Sequence, residues 1–296
     1  MKAFKERVAQ GDILISDGAM GTYLHARGLK PGECPEGWCV SHPELIKAIH
    51  EAYIAAGADI VETNSFGGTC YKLKPYGLEG KVRELNQAAV ALAKRAITGK
   101  GYVAASVGPT GQIVEDEGGD VTPQALYEAF NEQVVALAEA GADALCIETM
   151  VSLAEALQAI KAVKENTKLP VICTFTFEPG ARGFRTMMGV TPERAAGEAV
   201  SAGADIVGAN CGNGIVNMIE VTRQIRAAQP NTPILIQANA GTPVLQGDKT
   251  VFPETPEFMA SKVPDLIKAG AQIIGGCCGT TPDHIAAMAK AAKARY

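Results

Sequence analysis

Ala202-Gly203-Ala204-Asp205-Ile206-Val207 compresses a helix end, a turn and a strand into six residues. Glycine tolerates the left-handed conformation that closes a helix, and the Ile-Val that follows reads as a buried strand. The phrase recurs as Ala56-Gly57-Ala58-Asp59-Ile60-Val61 and Ala140-Gly141-Ala142-Asp143-Ala144-Leu145. A fourth copy, Ala269-Gly270-Ala271-Gln272-Ile273-Ile274, has glutamine in place of aspartate. Four further apolar runs lie between the copies: 13–16, 102–107, 171–176 and 234–238. Helical patterns separate them over 122–140, 153–165, 192–202 and 257–269. Ser41-His42-Pro43-Glu44 starts another, which runs to Ala56, with serine or histidine as its cap and an acid in its first turn. Eight strands alternating with helices predict an α/β fold, the (β/α)8 TIM barrel. The alternative, an open doubly wound sheet, lacks a Gly-x-Gly-x-x-Gly opening on its first strand. No linker-like stretch divides the chain, so residues 1–296 are expected to form a single domain.

Composition narrows the function. A net charge of −5 argues against a nucleic-acid partner or an anionic membrane surface. No apolar run approaches the ~20 residues of a membrane span. Met1-Lys2-Ala3-Phe4-Lys5-Glu6-Arg7 has no apolar signal core, which reads as a cytoplasmic protein with reduced thiols. The eight cysteines, Cys34, Cys39, Cys70, Cys146, Cys173, Cys211, Cys277 and Cys278, show no short-range disulfide framework.

In a barrel the C-terminal ends of all strands face one bowl. Those ends read Asp17; Glu62 and Asn64; Ser106; Glu148; Thr174 and Thr176; Asn210 and Cys211; Asn239; Cys277 and Cys278. Adjacent cysteines on their own admit three readings: inert burial, a strained disulfide, or a soft metal site. The barrel favours the metal. Strands six and eight are one strand apart, so Cys211 can approach Cys277 and Cys278, and three thiolates with one open position suit catalytic zinc. The remaining cysteines read as packing. Glu62 and Glu148 end equivalent strands, and only Glu148 is assigned a binding role. His284 reads as a solvated helical residue, and His25, His42 and His50 receive no ligand role.

The chain resembles the homocysteine S-methyltransferase family, and within it the homocysteine-binding modules of cobalamin-dependent members. The motifs are Asp17-Gly18-Ala19-Met20-Gly21-Thr22, Thr63-Asn64-Ser65-Phe66-Gly67, Gly108-Pro109-Thr110-Gly111, Ile147-Glu148-Thr149, Asn210-Cys211, Asn239-Ala240-Gly241 and Gly275-Gly276-Cys277-Cys278-Gly279-Thr280-Thr281-Pro282. The resemblance implies zinc held by Cys211, Cys277 and Cys278, with Asn239 filling the fourth position until the homocysteine thiol replaces it. It implies substrate contacts from Asp17, Ala19, Gly21, Thr22, Asn64, Glu148, Asn210 and Asn239, with backbone donors near Ala19 and Gly21 for the carboxylate. The zinc-bound thiolate then attacks an electrophilic methyl group.

Two departures stand out. Gly212-Asn213-Gly214 replaces the family's Ser/Thr-containing turn, and the folate, cobalamin and activation modules of the larger relatives do not follow Tyr296. The phrase Gln246-Gly247-Asp248-Lys249-Thr250-Val251-Phe252-Pro253 is similar to the cobalamin-dependent branch. It implies methylcobalamin on a separate corrinoid protein as donor, with S-methylmethionine or a betaine-like donor, a different thiol acceptor, or a non-enzymatic zinc or thiol sensor as alternatives.

Overall fold

Each Ala-Gly-Ala phrase folds as a helix stop. Gly57, Gly141, Gly203 and Gly270 all adopt positive φ, between 92° and 115°, a conformation that costs a residue with Cβ. The following aspartate then ties the new strand to the one before it. Asp59 donates its N–H to Ile15 O at 2.7 Å and accepts from Ile15 N at Oδ2 at 2.9 Å. Asp143 does the same with Val103, at 2.8 Å for both bonds. Asp205 pairs with Val171, at 2.8 and 3.0 Å. Gln272 keeps only the backbone half, to Ile234 O at 3.0 Å, and sends its side chain to Val8 O.

The computed structural model describes residues 2–99, 101–247 and 249–294, so the Gln246–Pro253 phrase falls partly outside the described residues at Asp248. The barrel strands are β1 (Leu14–Ile15), β2 (Ile60–Glu62), β3 (Tyr102–Val107), β4 (Ala144–Met150), β5 (Val171–Phe175), β6 (Ile206–Asn210), β7 (Ile234–Ala238) and β8 (Ile273–Gly276). All pair in parallel in chain order, β8 returns to β1, and a parallel bridge from Ser16 to Ile60 joins β1 to β2. The ring is therefore the expected (β/α)8 barrel.

Its helices are α1 (Pro43–Ala55), α2 (Val82–Ile97), α3 (Pro123–Glu139), α4 (Leu153–Asn166), α5 (Pro192–Ser201), α6 (Ile215–Ala228), α7 (Pro256–Ala269) and α8 (Pro282–Lys293). Four are capped by a hydroxyl: Thr122, Ser152, Thr191 and Thr255 each accept from the N–H three residues on. The expected cap of α1 does not form. His42 holds that position without a side-chain bond and instead engages Ser41 Oγ at 2.8 Å. The stretch from 25 to 41 contains a short helix at Trp38–Ser41, and another, Gly21–His25, leads into it.

The largest core cluster contains most of the helices' buried faces. A second cluster gathers Leu14, Ile60, Tyr102, Ala104, Ala144, Cys146, Ile172, Ile206, Leu235 and Ile273, with at least one residue from every strand. Phe4 and Val8 of an N-terminal helix (Phe4–Val8) join this cluster and plug that end of the barrel. Among the described residues no helix is long and apolar enough to cross a membrane.

Candidate active site

The strand ladder brings the three site thiols together. Asn210 pairs with Gln237 across β6 and β7, and Gly276 pairs with Ala238 across β8 and β7. Just beyond, Cys211 N donates to Gln237 O at 3.1 Å and Cys277 N to Ala238 O at 2.8 Å. The backbone of β7 thus carries both cysteine loops. The sulfurs of Cys211, Cys277 and Cys278 lie within 4.8 Å of one another, and Cys211 and Cys278 are 3.9 Å apart. Hydrogen bonds from Cys277 and Cys278 pull the Cys211 thiol down to about 3, and the same contacts push the other two up. The trio therefore favours one thiolate shared among the three sulfurs.

Asn239 lies beside Cys211, and its buried Oδ1 has no hydrogen-bond partner. A buried carbonyl oxygen without a partner is costly unless something else binds it. Three soft thiols and one free amide oxygen match the donor set of a four-coordinate zinc site with one exchangeable position. The residues present fit that metal.

A second wall is acidic. Strand alternation turns Glu148 inward on the same face as Ala144 and Cys146, and the register of β4 against β5 shifts between Ile147 and Met150. Ser106 Oγ donates to Glu148 Oε1, and Asn210 Nδ2 to Oε2 at 3.3 Å. Asp17 Oδ2 accepts from Glu62 N at 2.9 Å. Burial raises all three carboxyls: Glu148 also feels Glu62, and Glu62, pushed up to about 7, also feels Asp17. With Glu36 they line a cavity of ≈ 270 Å³ that Cys211, Cys277 and Cys278 also line. Among the described residues, that lining holds no lysine, arginine or histidine. A buried space lined by acids and by no basic side chain favours a cation, whose charge would let the acids ionise.

The residues expected to touch substrate divide into two groups. Asp17, Ala19, Gly21, Thr22, Asn64 and Glu148 line the cavity. Ala19 N, however, donates to Thr280 Oγ1 at 3.1 Å, so it is not a free donor. Asn64 spends its amide N–H on Pro35 O at 2.7 Å. The remaining two, Asn210 and Asn239, lie outside the lining. Asn210 is fully buried, and its amide is spent on Thr149 N and Thr174 Oγ1 (2.8 Å each), Thr149 Oγ1 (2.7 Å) and Glu148. Its Nδ2 also reaches Cys277 Sγ at 3.9 Å, so it braces both the acidic wall and the sulfurs.

His284 is also not solvated. It is buried, its Nδ1 accepts from Thr281 N at 3.2 Å, and its Nε2 lies 3.0 Å from Glu254 O. Among the lining residues given no site role from the sequence are Glu36, Gln237 and Glu62. Glu36 sits in the first loop, where Gly67 N and the Cys34 thiol donate to it, and nothing in its neighbourhood marks it. Gln237 is hidden within an apolar strand, and Glu62 had the same strand-end signal as Glu148.

Exposed apolar side chains gather at the same end of the barrel as the cavity. Among the described residues, the exposed large hydrophobics are Val40, Tyr76, Ile113, Met187, Met188, Val216, Val244, Leu245 and Phe258. Every one lies in a strand-to-helix connection or in the first turn of the helix that follows, on the face that carries the cysteines.

Comparison with known proteins agrees with this geometry. Residues 14–292 match the family model for homocysteine S-methyltransferase. The methionine synthases of Mycobacterium leprae and Mycobacterium tuberculosis are each 32% identical over 94% of this chain. The chain spans 24% of the length of those relatives. The metallated form of the homocysteine methyltransferase MmuM from Escherichia coli superposes with a TM-score of 0.82 at 26% identity, covering 100% of both chains. The carboxyl transferase domain of Rhizobium etli pyruvate carboxylase, 13% identical with a TM-score of 0.53, shares the fold alone. The motifs, the barrel and the family match converge on one conclusion: the chain belongs to the homocysteine S-methyltransferase family.

Proposed function

We propose that this barrel binds homocysteine and methylates its sulfur, acting as one domain over residues 1–296. The observation that carries the reading is the meeting of Cys211, Cys277 and Cys278, with Asn239 beside Cys211, at the edge of an acidic cavity. Zinc bound by these cysteines would hold the substrate sulfur as a thiolate at neutral pH. Asp17, Glu62 and Glu148 face the amino group and hold it as an ammonium ion. Ser106 and Asn210 fix the Glu148 carboxylate in place through its two oxygens. The leading N–H groups of the helix Gly21–His25 have no intrahelical acceptors and suit the substrate carboxylate. Held at both ends, the amino acid presents its sulfur to the open mouth, where orientation supplies much of the rate.

For the donor we propose methylcobalamin on a separate corrinoid protein. One observation supports it: the end of the barrel that carries the cysteines bears exposed apolar side chains suited to a protein surface. A second reading, a small donor such as S-methylmethionine or a betaine-like compound, draws on the end-to-end match with MmuM. A zinc store or thiol sensor has no evident use for three buried carboxylates beside the sulfurs.

Zinc X-ray absorption with and without L-homocysteine tests the proposal. Three sulfur neighbours should become four when homocysteine is added, and Cys211→Ala should lose the metal with the fold intact. An unchanged sulfur count would direct the search to another acceptor. Failure of the reduced, reconstituted protein to bind zinc would overturn the mechanism.

A further inference from the structure

Three glycines follow closely on the sulfur cluster, one in each loop that builds it. Gly214 follows Cys211, Gly241 follows Asn239, and Gly279 follows Cys278. All three face the same tripeptide, Phe252-Pro253-Glu254. A methyl group on Gly279 would strike the Phe252 ring. On Gly241 it would come within 2.9 Å of Glu254 Cγ and 3.0 Å of Pro253 Cδ, and on Gly214 it would strike Glu254 Oε1. Three separate loops have thus been emptied of side chains to admit one strut.

Hydrogen bonds fasten the strut to the same loops. Glu254 N donates to Ala240 O at 2.9 Å, next to Asn239. Glu254 Oε2 accepts from Ile215 N at 3.1 Å, just past the Cys211 loop. Glu254 O receives the His284 ring at 3.0 Å, and the other ring nitrogen accepts from Thr281 N at 3.2 Å, just past the Cys277–Cys278 loop. A carbonyl can only accept, so Nε2 carries the proton and Nδ1 is left to accept. One residue therefore reaches all three loops, although Glu254 does not line the cavity.

We propose that Glu254 is a positioning residue that clamps the Cys211, Asn239 and Cys277–Cys278 loops into one metal-binding register. The inference rests on the metal reading above. Ladder bonds fix the strand ends, but the ligands lie beyond them, where small displacements loosen a metal site. The side-chain tie needs an acceptor of the right length at Ile215 N, which glutamine supplies and alanine does not.

The test compares Glu254→Ala and Glu254→Gln with the wild-type protein in two measurements. In the zinc-loaded proteins, release to a chromophoric chelator should be ~10- to 100-fold faster in Glu254→Ala, the range found when groups supporting metal ligands are removed, and near wild-type in Glu254→Gln. The cobalt(II)-substituted alanine variant should show altered thiolate-to-metal absorption, with the glutamine variant restoring it. In the metal-free proteins, amide hydrogen exchange should rise through the whole Cys211 loop, 211–215, in Glu254→Ala and stay low in Glu254→Gln, while 239–241 and 277–281, held by the Glu254 backbone, change less. Faster exchange confined to Ile215, or zinc release equal to wild type, would overturn the clamp. If wild type binds neither metal, the metal reading falls and hydrogen exchange alone decides the clamp. Should Glu254→Ala not fold, Glu254→Asp, one methylene shorter, is put through the same measurements.

Discussion

Cys211 and Thr149 have φ values of 60° and 61°, in the left-handed region that residues with Cβ rarely occupy. They sit at the ends of β6 and β4, side by side, with Asn210 bonded to both the N–H and the hydroxyl of Thr149. Such strain persists only where its surroundings over-determine it, and the Asn210 amide provides that constraint. The strand pleat, which also turns Ala144 and Cys146 inward, directs Glu148 at the cavity. Glu148→Gln should keep the fold and weaken homocysteine binding ~10- to 100-fold, the usual worth of one charge-assisted contact, as read by calorimetry. Affinity equal to wild type would show that the ammonium is held elsewhere. The cysteines and Glu148 were legible because thiols and acids at strand ends carry chemistry by type. Asn210 was legible as a site residue but not in its role, since bracing depends on a bulge and a positive φ that one sequence does not encode locally. Glu36 was not legible at all, because a loop's path decides whether its acid meets the cavity.

At the scale of elements, the repeated aspartate sets the strand pairs. Asp143 Oδ2 accepts from Val103 N and from Lys94 Nζ, at 2.8 and 2.7 Å. Asp143→Ala would leave the Val103 N–H without its partner at the edge of the core, and should cost about 1–3 kcal/mol in urea denaturation. Asp143→Asn should recover part of that loss, because an amide oxygen still accepts. A loss below ~0.5 kcal/mol in the alanine variant would mean that water replaces the bond without cost. The four Ala-Gly-Ala phrases made the helix ends and strand starts readable to within a residue or two. The short helices at Gly21–His25 and Trp38–Ser41 escaped, because so few residues carry no periodicity. His284 escaped because its partner Glu254 lies 30 residues away.

The whole molecule concentrates negative charge at one end of its core, and its stability should record this. Burial and Asp17 raise the Glu62 carboxyl from 4.5 to about 7. Between those values the folded protein keeps a proton that the unfolded chain sheds. Stability from this group therefore falls as pH rises from 4.5 to 7, and levels off above. Glu62→Gln should flatten that part of the pH–stability curve and, at pH 8, exceed wild type by about 1–3 kcal/mol in urea denaturation. Parallel curves for the two proteins would remove Glu62 as the source. The barrel was legible as a whole because its pattern repeats, whereas the shared field of Asp17, Glu62 and Glu148 was not, since it arises only when distant strands close into a ring. The aspartate ties carry a further consequence. They join β1 to β2, β3 to β4 and β5 to β6, and the lone backbone bond of Gln272 joins β7 to β8 in the same format. The ring is thus four quarter-modules with similar rivets, each inside one quarter. For an engineer, new chain ends opened between quarters spare every rivet, and ends opened within a quarter separate the two halves of one.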